Sequence, residues 1–191
     1  MAPAGVGPGG AGMTLIVLHG VESTGKTNLG RELAAAYGGL FLPEFGRTWC
    51  EIFGTDCSVA DLVEIGENQQ RNIDQALQDR ALVISDTDSL MTAAWAEMML
   101  GTVPPALLEA RKADLYLYCH PDVPFVDDGL RVFGDPADRA LFDRIAQRIL
   151  AESGAPFVDV RGDWDKRRVH AVTAVDTLLR REGFDSAKTL G

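Results

Sequence analysis

Short apolar runs alternate with amphipathic stretches along this chain, and the alternation predicts an α/β fold. Thr14 to His19 reads as a buried strand, Leu40-Phe41-Leu42 as a short one stopped by Pro43, and Ala81 to Ile84 as a third. Leu115 to Cys119 and Phe157 to Val160 make five. Helical periodicity falls between them. A helix ends at about Tyr37, and others cover Phe45 to Phe53, Thr92 to Leu100, Ala137 to Glu152 and Asp165 to Arg181. The longest runs from Asp61 to Asp79 with Leu62, Ile65, Ile73, Ala76 and Leu77 on one stripe. Strands alternating with helices imply a mainly parallel sheet of five strands, right-handed crossovers and helices on both faces. Ligands of such sheets lie beyond the carboxyl ends of the strands.

One of those ends carries Gly20-Val21-Glu22-Ser23-Thr24-Gly25-Lys26-Thr27, the pattern G-x-x-x-x-G-K-[ST]. Its glycines let successive backbone N–H groups curl around a polyphosphate, and the next helix, opened by Asn28, points its positive end there. Lys26 supplies a mobile charge for the outer phosphates and Thr27 a hydroxyl for Mg²⁺. A buried-strand run precedes the loop and a helix follows it, which is the context a P-loop NTPase fold requires. A nucleoside triphosphate, ATP or GTP, and Mg²⁺ are the expected cofactors.

The chain has 191 residues, so one domain is expected, spanning 13–191 behind a Gly- and Pro-rich flexible leader, 1–12. A net charge of −10 argues against nucleic acid or an anionic membrane as partner and suits a cationic small substrate. Cys50, Cys57 and Cys119 are odd in number and lack zinc spacing, so they read as reduced thiols of a cytoplasmic protein. No run is long enough for a membrane-spanning helix, and oligomeric state is not legible.

The remaining chemistry also falls at strand ends. The third strand leads into Ser85-Asp86-Thr87-Asp88; Asp86 is placed to hold Mg²⁺, while Asp88 reads either as an active-site carboxylate or as a helix N-cap. Glu44, after the second strand, suits a base that takes the proton of an attacking hydroxyl, and equally suits the first turn of a helix. Arg47 reads as a substrate contact or a surface ion pair. Gln69 and Gln70 border an apolar stripe, as base-reading amides or as a solvated flank. Hinge glycines Gly129 and Gly134 flank Arg131, which suits a lid over the phosphates. Arg139 reads as a helix ion pair with Asp135 and Asp143. Trp164 either stacks on adenine or covers the last helix, whereas Leu90, Met91, Trp95, Met98 and Met99 read as core.

Four segments taken together, GVESTGKT, PEFGR, SDTD with Thr92 six residues beyond Asp86, and VDDGLRxxG, resemble the ribosylnicotinamide kinase domain of NadR-type proteins. The resemblance runs from Thr14 to about Val175. It implies transfer of the γ-phosphate of ATP to the 5′-hydroxyl of nicotinamide riboside, giving nicotinamide mononucleotide for NAD salvage. It also implies a stand-alone kinase, without the family's adenylyltransferase and helix-turn-helix parts. Lys26, Glu44, Asp86, Asp88 and Arg131 are the expected catalytic set, with Glu44, Asp86 and Asp88 competing for the base role. Gly20, Glu22, Ser23, Thr24, Gly25, Lys26, Thr27, Asn28 and Trp164 are expected on the nucleotide. Glu44, Arg47, Trp49, Gln70, Asp88 and Asp128 are expected on the acceptor, whose pyridinium cation suits carboxylates and ring faces. Thr27 and Asp86 are expected on the metal. The competing readings are another nucleoside or nucleotide kinase, or an ATP-binding regulatory module; no N-K-x-D guanine motif is present.

Overall fold

The computed structural model describes residues 13–126 and 132–183. The leader 1–12, together with Asp128, Gly129 and Arg131 of the expected lid, lies outside the described residues. Five strands form one sheet: β1 (Thr14–His19), β2 (Leu40–Leu42), β3 (Leu82–Asp86), β4 (Leu115–Cys119) and β5 (Phe157–Val160), in the order β2-β3-β1-β4-β5, with every pairing parallel.

Side-chain alternation along the strands divides the core in two. Leu15, Val17, Val83, Tyr116 and Tyr118 face one layer, built by α3 (Val59–Asp79), α4 (Ser89–Leu100), the short α5 (Pro105–Glu109) and α6 (Pro136–Glu152). Ile16, Leu18, Ile84, Leu115 and Leu117 face the other, covered by α1 (Lys26–Tyr37) and α7 (Trp164–Arg181). Central strands buried on both faces must be apolar throughout, which is why they read as continuous runs rather than as alternation. The remaining helix, α2 (Phe45–Phe53), leaves the end of β2 and packs on α3.

Local chemistry sets the boundaries. Gly38 closes α1 in the left-handed region, with its N–H on the Ala34 carbonyl. α3 starts two residues before the expected Asp61. Ser58 caps it, and Ser58 and Asp61 exchange side-chain bonds in a capping box. α4 starts three residues before the expected Thr92 because Asp88 caps it. α5 has no counterpart in the sequence reading: five residues after Pro104 are too few to display a period. Among the described residues no helix is long and apolar enough to cross a membrane.

Candidate active site

The phosphate loop lies between β1 and α1, beside the center of the sheet. Two glycines are required there by geometry. A Cβ on Gly20 would sit 2.4 Å from the Cys119 carbonyl oxygen, and one on Gly25 would sit 2.4 Å from the Trp164 ring, at φ of 79°. Four consecutive backbone carbonyls of the loop, Val21 to Thr24, are engaged by side chains. Val21 O accepts from Thr24 Oγ1 and from Lys26 Nζ, both at 2.9 Å. Arg139 Nη1 donates to Glu22 O at 2.5 Å and Nη2 to Ser23 O at 3.4 Å, and Arg167 Nη1 donates to Thr24 O at 3.1 Å. With these carbonyls occupied, the loop N–H groups and the start of α1 are the polar groups left for a ligand, an arrangement suited to anions.

Beside the loop, Thr27 Oγ1 donates to Asp86 Oδ2, joining the start of α1 to the end of β3. Glu44, the residue before α2, stands on the same cavity wall. Burial, and next the Asp86 carboxylate, push its pKa up to about 7, with Lys26 opposing. A carboxyl that titrates near neutrality beside a phosphate loop is matched to proton transfer from an alcohol.

The cavity that these groups share has a volume of about 240 Å³. One half is lined by the phosphate loop, Lys26, Thr27, Asn28 and Asp86; the other by Glu44, Arg47, Cys50, Cys57, Leu62, Ile65, Gln69, Met91, Trp95 and Met99. The lining thus joins a glycine-rich loop with a lysine to a largely apolar set that carries Glu44 and Arg47. His19, at the end of β1, stays out of this chemistry. It is fully buried, its Nε2 bonds the Ala146 carbonyl at 3.2 Å, and desolvation holds its pKa down at about 3.

The match to known proteins is extensive. A family model described as an AAA domain, AAA_28, matches residues 15–167. The chain belongs to the AAA_28 family. Within it, the chain is 28% identical over 177 residues to the trifunctional NAD biosynthesis/regulator protein NadR of Salmonella typhimurium, covering 88% of this chain and 43% of that protein. The corresponding NadR of Escherichia coli is 28% identical over 173 residues, covering 86% and 42%. This AAA_28 chain therefore spans less than half the length of those relatives. A crystal structure of NadR in complex with NR superposes with a TM-score of 0.74 at 25% identity, over 91% of this chain and 52% of that one. The thymidylate kinase of Ehrlichia chaffeensis, at 13% identity, shares the fold with a TM-score of 0.64 over 86% of this chain and 99% of its own. The resemblance to NadR-type proteins seen in the four motifs thus extends through the whole architecture.

Several expected site residues of this AAA_28 chain stand apart from the cavity. Asp88 is spent on structure: Oδ1 accepts from the Leu90 and Met91 N–H groups as the cap of α4, and Oδ2 accepts from Tyr116 Oη. It does not line the cavity and leaves the contest for the base. Gln70 donates to Asp74 and lines a separate shallow depression; its neighbor Gln69 is the amide at the cavity, because one residue along a helix turns the side chain by about 100°. The same rotation takes Trp49 away, onto Phe45 and Phe53, and brings Cys50 in. Trp164 lies against Gly25 with 60% of its surface exposed, beside the loop but not in the cavity wall. Arg47 lines the cavity and also pairs with Glu51 at 3.6 Å.

Two arginines depart from what the sequence predicts. Arg139 is buried against the loop, with its guanidinium over the Phe125 ring, rather than held by Asp135 and Asp143. Arg167 is 2% exposed and ties Thr24 O, Gly162 O, His120 O and Asp122 together. Nothing in the local sequence separates it from its neighbors Lys166 and Arg168. Both described flanks of the expected lid touch the loop: Val126 N donates to Ser23 Oγ at 2.8 Å and Phe133 N to Glu22 Oε2 at 3.4 Å.

Proposed function

We propose that this chain is a kinase that moves the γ-phosphoryl group of ATP to the 5′-hydroxyl of nicotinamide riboside, yielding nicotinamide mononucleotide in NAD biosynthesis. The observation that carries this reading is that one cavity is lined by Glu44, the phosphate loop, Asp86 and Thr27 together. Its support from outside is the NadR resemblance, including a NadR complex with NR and another, at 21% identity, with NAD and AMP-PNP. The unit responsible is one kinase domain beginning near Met13, working in the cytoplasm.

In this scheme the loop N–H groups and Lys26 hold the β- and γ-phosphates. Lys26 Nζ, parked on Val21 O, exchanges that carbonyl for a phosphate oxygen. Gly20, Glu22, Ser23, Thr24, Gly25 and Asn28 shape the nucleotide side of the cavity, and Trp164 offers its exposed face to the adenine. Glu44 accepts the proton of the acceptor hydroxyl as its oxygen attacks the γ-phosphorus. The bond to the β-γ bridging oxygen breaks, and ADP leaves. Positioning and charge supply most of the rate in such transfers. The cationic ring of the acceptor lies toward the Trp95 side of the cavity, while Arg47, paired with Glu51, contacts the acceptor away from that ring. Arg131 and Asp128 are assigned to the lid, for phosphate and acceptor respectively.

Magnesium fits the donor set. The Thr27 hydroxyl and the Asp86 carboxylate are adjacent hard oxygens, and Mg²⁺ commonly takes one or two protein ligands with waters and phosphate oxygens. When bound it neutralizes charge developing on the phosphates.

The test is ATP consumption against a panel of nucleosides including nicotinamide riboside, with product mass determined. Expected is turnover of nicotinamide riboside with a mass gain of one phosphoryl group. Turnover of thymidine or cytidine with none of nicotinamide riboside would move the assignment to another nucleoside kinase. ATP loss without any acceptor would move it to a nucleotide-driven regulatory module.

A further inference from the structure

Gln69 is a buried amide in an otherwise apolar stripe, 2% exposed, and its hydrogen bonds lead to the neighbors of two carboxylates of the cavity, Glu44 and Asp86, without touching either. Its Oε1 accepts from the N–H of Phe45 at 2.8 Å, and its Nε2 donates to the carbonyl of Pro43 at 3.4 Å. Those are the two residues that flank Glu44. The same Nε2 donates to Ser85 Oγ at 2.9 Å, and Ser85 Oγ donates to the Thr87 carbonyl at 2.8 Å. Those are the two residues that flank Asp86.

The second bracket has a conformational reason. Thr87 is β-branched and sits at φ of 79°, a region such residues avoid, so its placement depends on outside restraint. The restraints are Thr87 N on Leu18 O at 3.1 Å and the Ser85 hydroxyl on Thr87 O. Gln69 anchors that hydroxyl. One side chain on α3 therefore spans from the end of β2 to the end of β3, and both its donor and its acceptor are used.

We propose that Gln69 is a positioning residue, which fixes the separation between Glu44 and Asp86 by bracketing the backbone on both sides of the first and, through Ser85, of the second. This rests on the reading of Glu44 as the base. If Glu44 is free to move toward water, the burial that is the largest cause of its raised pKa weakens; Asp86 and Glu22 also raise it, Lys26 and Arg47 oppose, and the group titrates closer to an ordinary carboxylate. Nucleotide binding is left alone, because Gln69 makes no hydrogen bond to the phosphate loop.

Steady-state kinetics of Gln69→Met and Ser85→Ala test this, with Glu44→Gln assayed in parallel. Gln69→Met keeps the volume and removes every hydrogen bond; Ser85→Ala removes only the relay and is the milder change should the first variant fold poorly. Expected for both is a fall in kcat, about tenfold or more for Gln69→Met, with KM for ATP within about twofold of wild type. The acidic limb of the kcat profile should move to lower pH by about half a unit or more. A rate loss with the limb unmoved would mean that Gln69 only supports the fold, and the proposal fails. If Glu44→Gln abolishes the limb while Gln69→Met and Ser85→Ala leave rate and limb intact, the base stands and Gln69 is not its positioner. If Glu44→Gln keeps the wild-type rate and limb, the base assignment falls and the proposal falls with it.

Discussion

The Thr27 hydroxyl donates to Asp86, 59 positions away in sequence, tying the first turn of α1 to the end of β3. On the proposed reading both oxygens would turn toward a magnesium ion, which would replace this hydrogen bond. Asp86→Asn keeps the shape and removes the charge. It should lower kcat about a hundredfold and raise the magnesium concentration needed for half-maximal rate, read by titrating Mg²⁺ at fixed ATP. An unchanged magnesium dependence would remove Asp86 from the metal.

Lys26→Ala should reduce turnover by about a hundredfold or more, since the γ-phosphate loses its mobile cation. Lys26 also donates to Val21 O, but Thr24 Oγ1 bonds the same carbonyl, so the fold should survive. Circular dichroism melting alongside the rate assay separates the two effects.

Glu44→Gln carries opposite predictions for rate and stability. As the base it should cost roughly a hundredfold in kcat or more. For stability, the folded pKa of about 7 lies above the ordinary carboxylate value of 4.5, so the folded state holds its proton more tightly than the unfolded one. Glu44 is thus neutral to folding below about pH 4.5. It destabilizes progressively as pH rises to about 7, then levels off. The glutamine variant should be more stable than wild type at pH 8, by about 1–3 kcal/mol, and equal to it near pH 4.5. Denaturant melts at the two pH values check the sign.

Arg167→Met should destabilize the fold by about 2–4 kcal/mol, because three carbonyls and the Asp122 carboxylate lose their common donor. Partial burial pushes the Asp122 pKa up, but the Gly162 N–H and the Arg167 charge outweigh it and hold the group below its ordinary range. The wild type should therefore lose part of this stability on acidification through the low carboxylate range, while the variant loses less. KM for ATP should rise severalfold as the Thr24 carbonyl is released.

Much of this site was legible before folding because its chemistry is local. The phosphate loop is eight consecutive residues, and the strand-end positions of Glu44 and Asp86 follow from apolar runs that end beside them. Asp88 was ambiguous for a physical reason: a carboxylate two positions from another can cap a helix as readily as it can face a ligand, and only the fold brings Tyr116 to it. Gln69 and Gln70 differ by one helical step, too fine a distinction for a stripe whose phase carries an error of about one residue. Arg139 and Arg167 reach the loop from 116 and 143 positions away, respectively, at their Ser23 and Thr24 contacts. No short-range pattern encodes such distances. α4 read as core, and it is core, yet Met91, Trp95 and Met99 also line the cavity; periodicity finds the apolar face but not what lies opposite it.

The two guanidinium groups behind the phosphate loop have a thermodynamic corollary. A ring of backbone that is already clamped has few conformations left to surrender when a ligand arrives. Nucleotide capture should therefore carry little ordering entropy from the loop itself. Whatever closure accompanies the reaction falls to other segments of the chain.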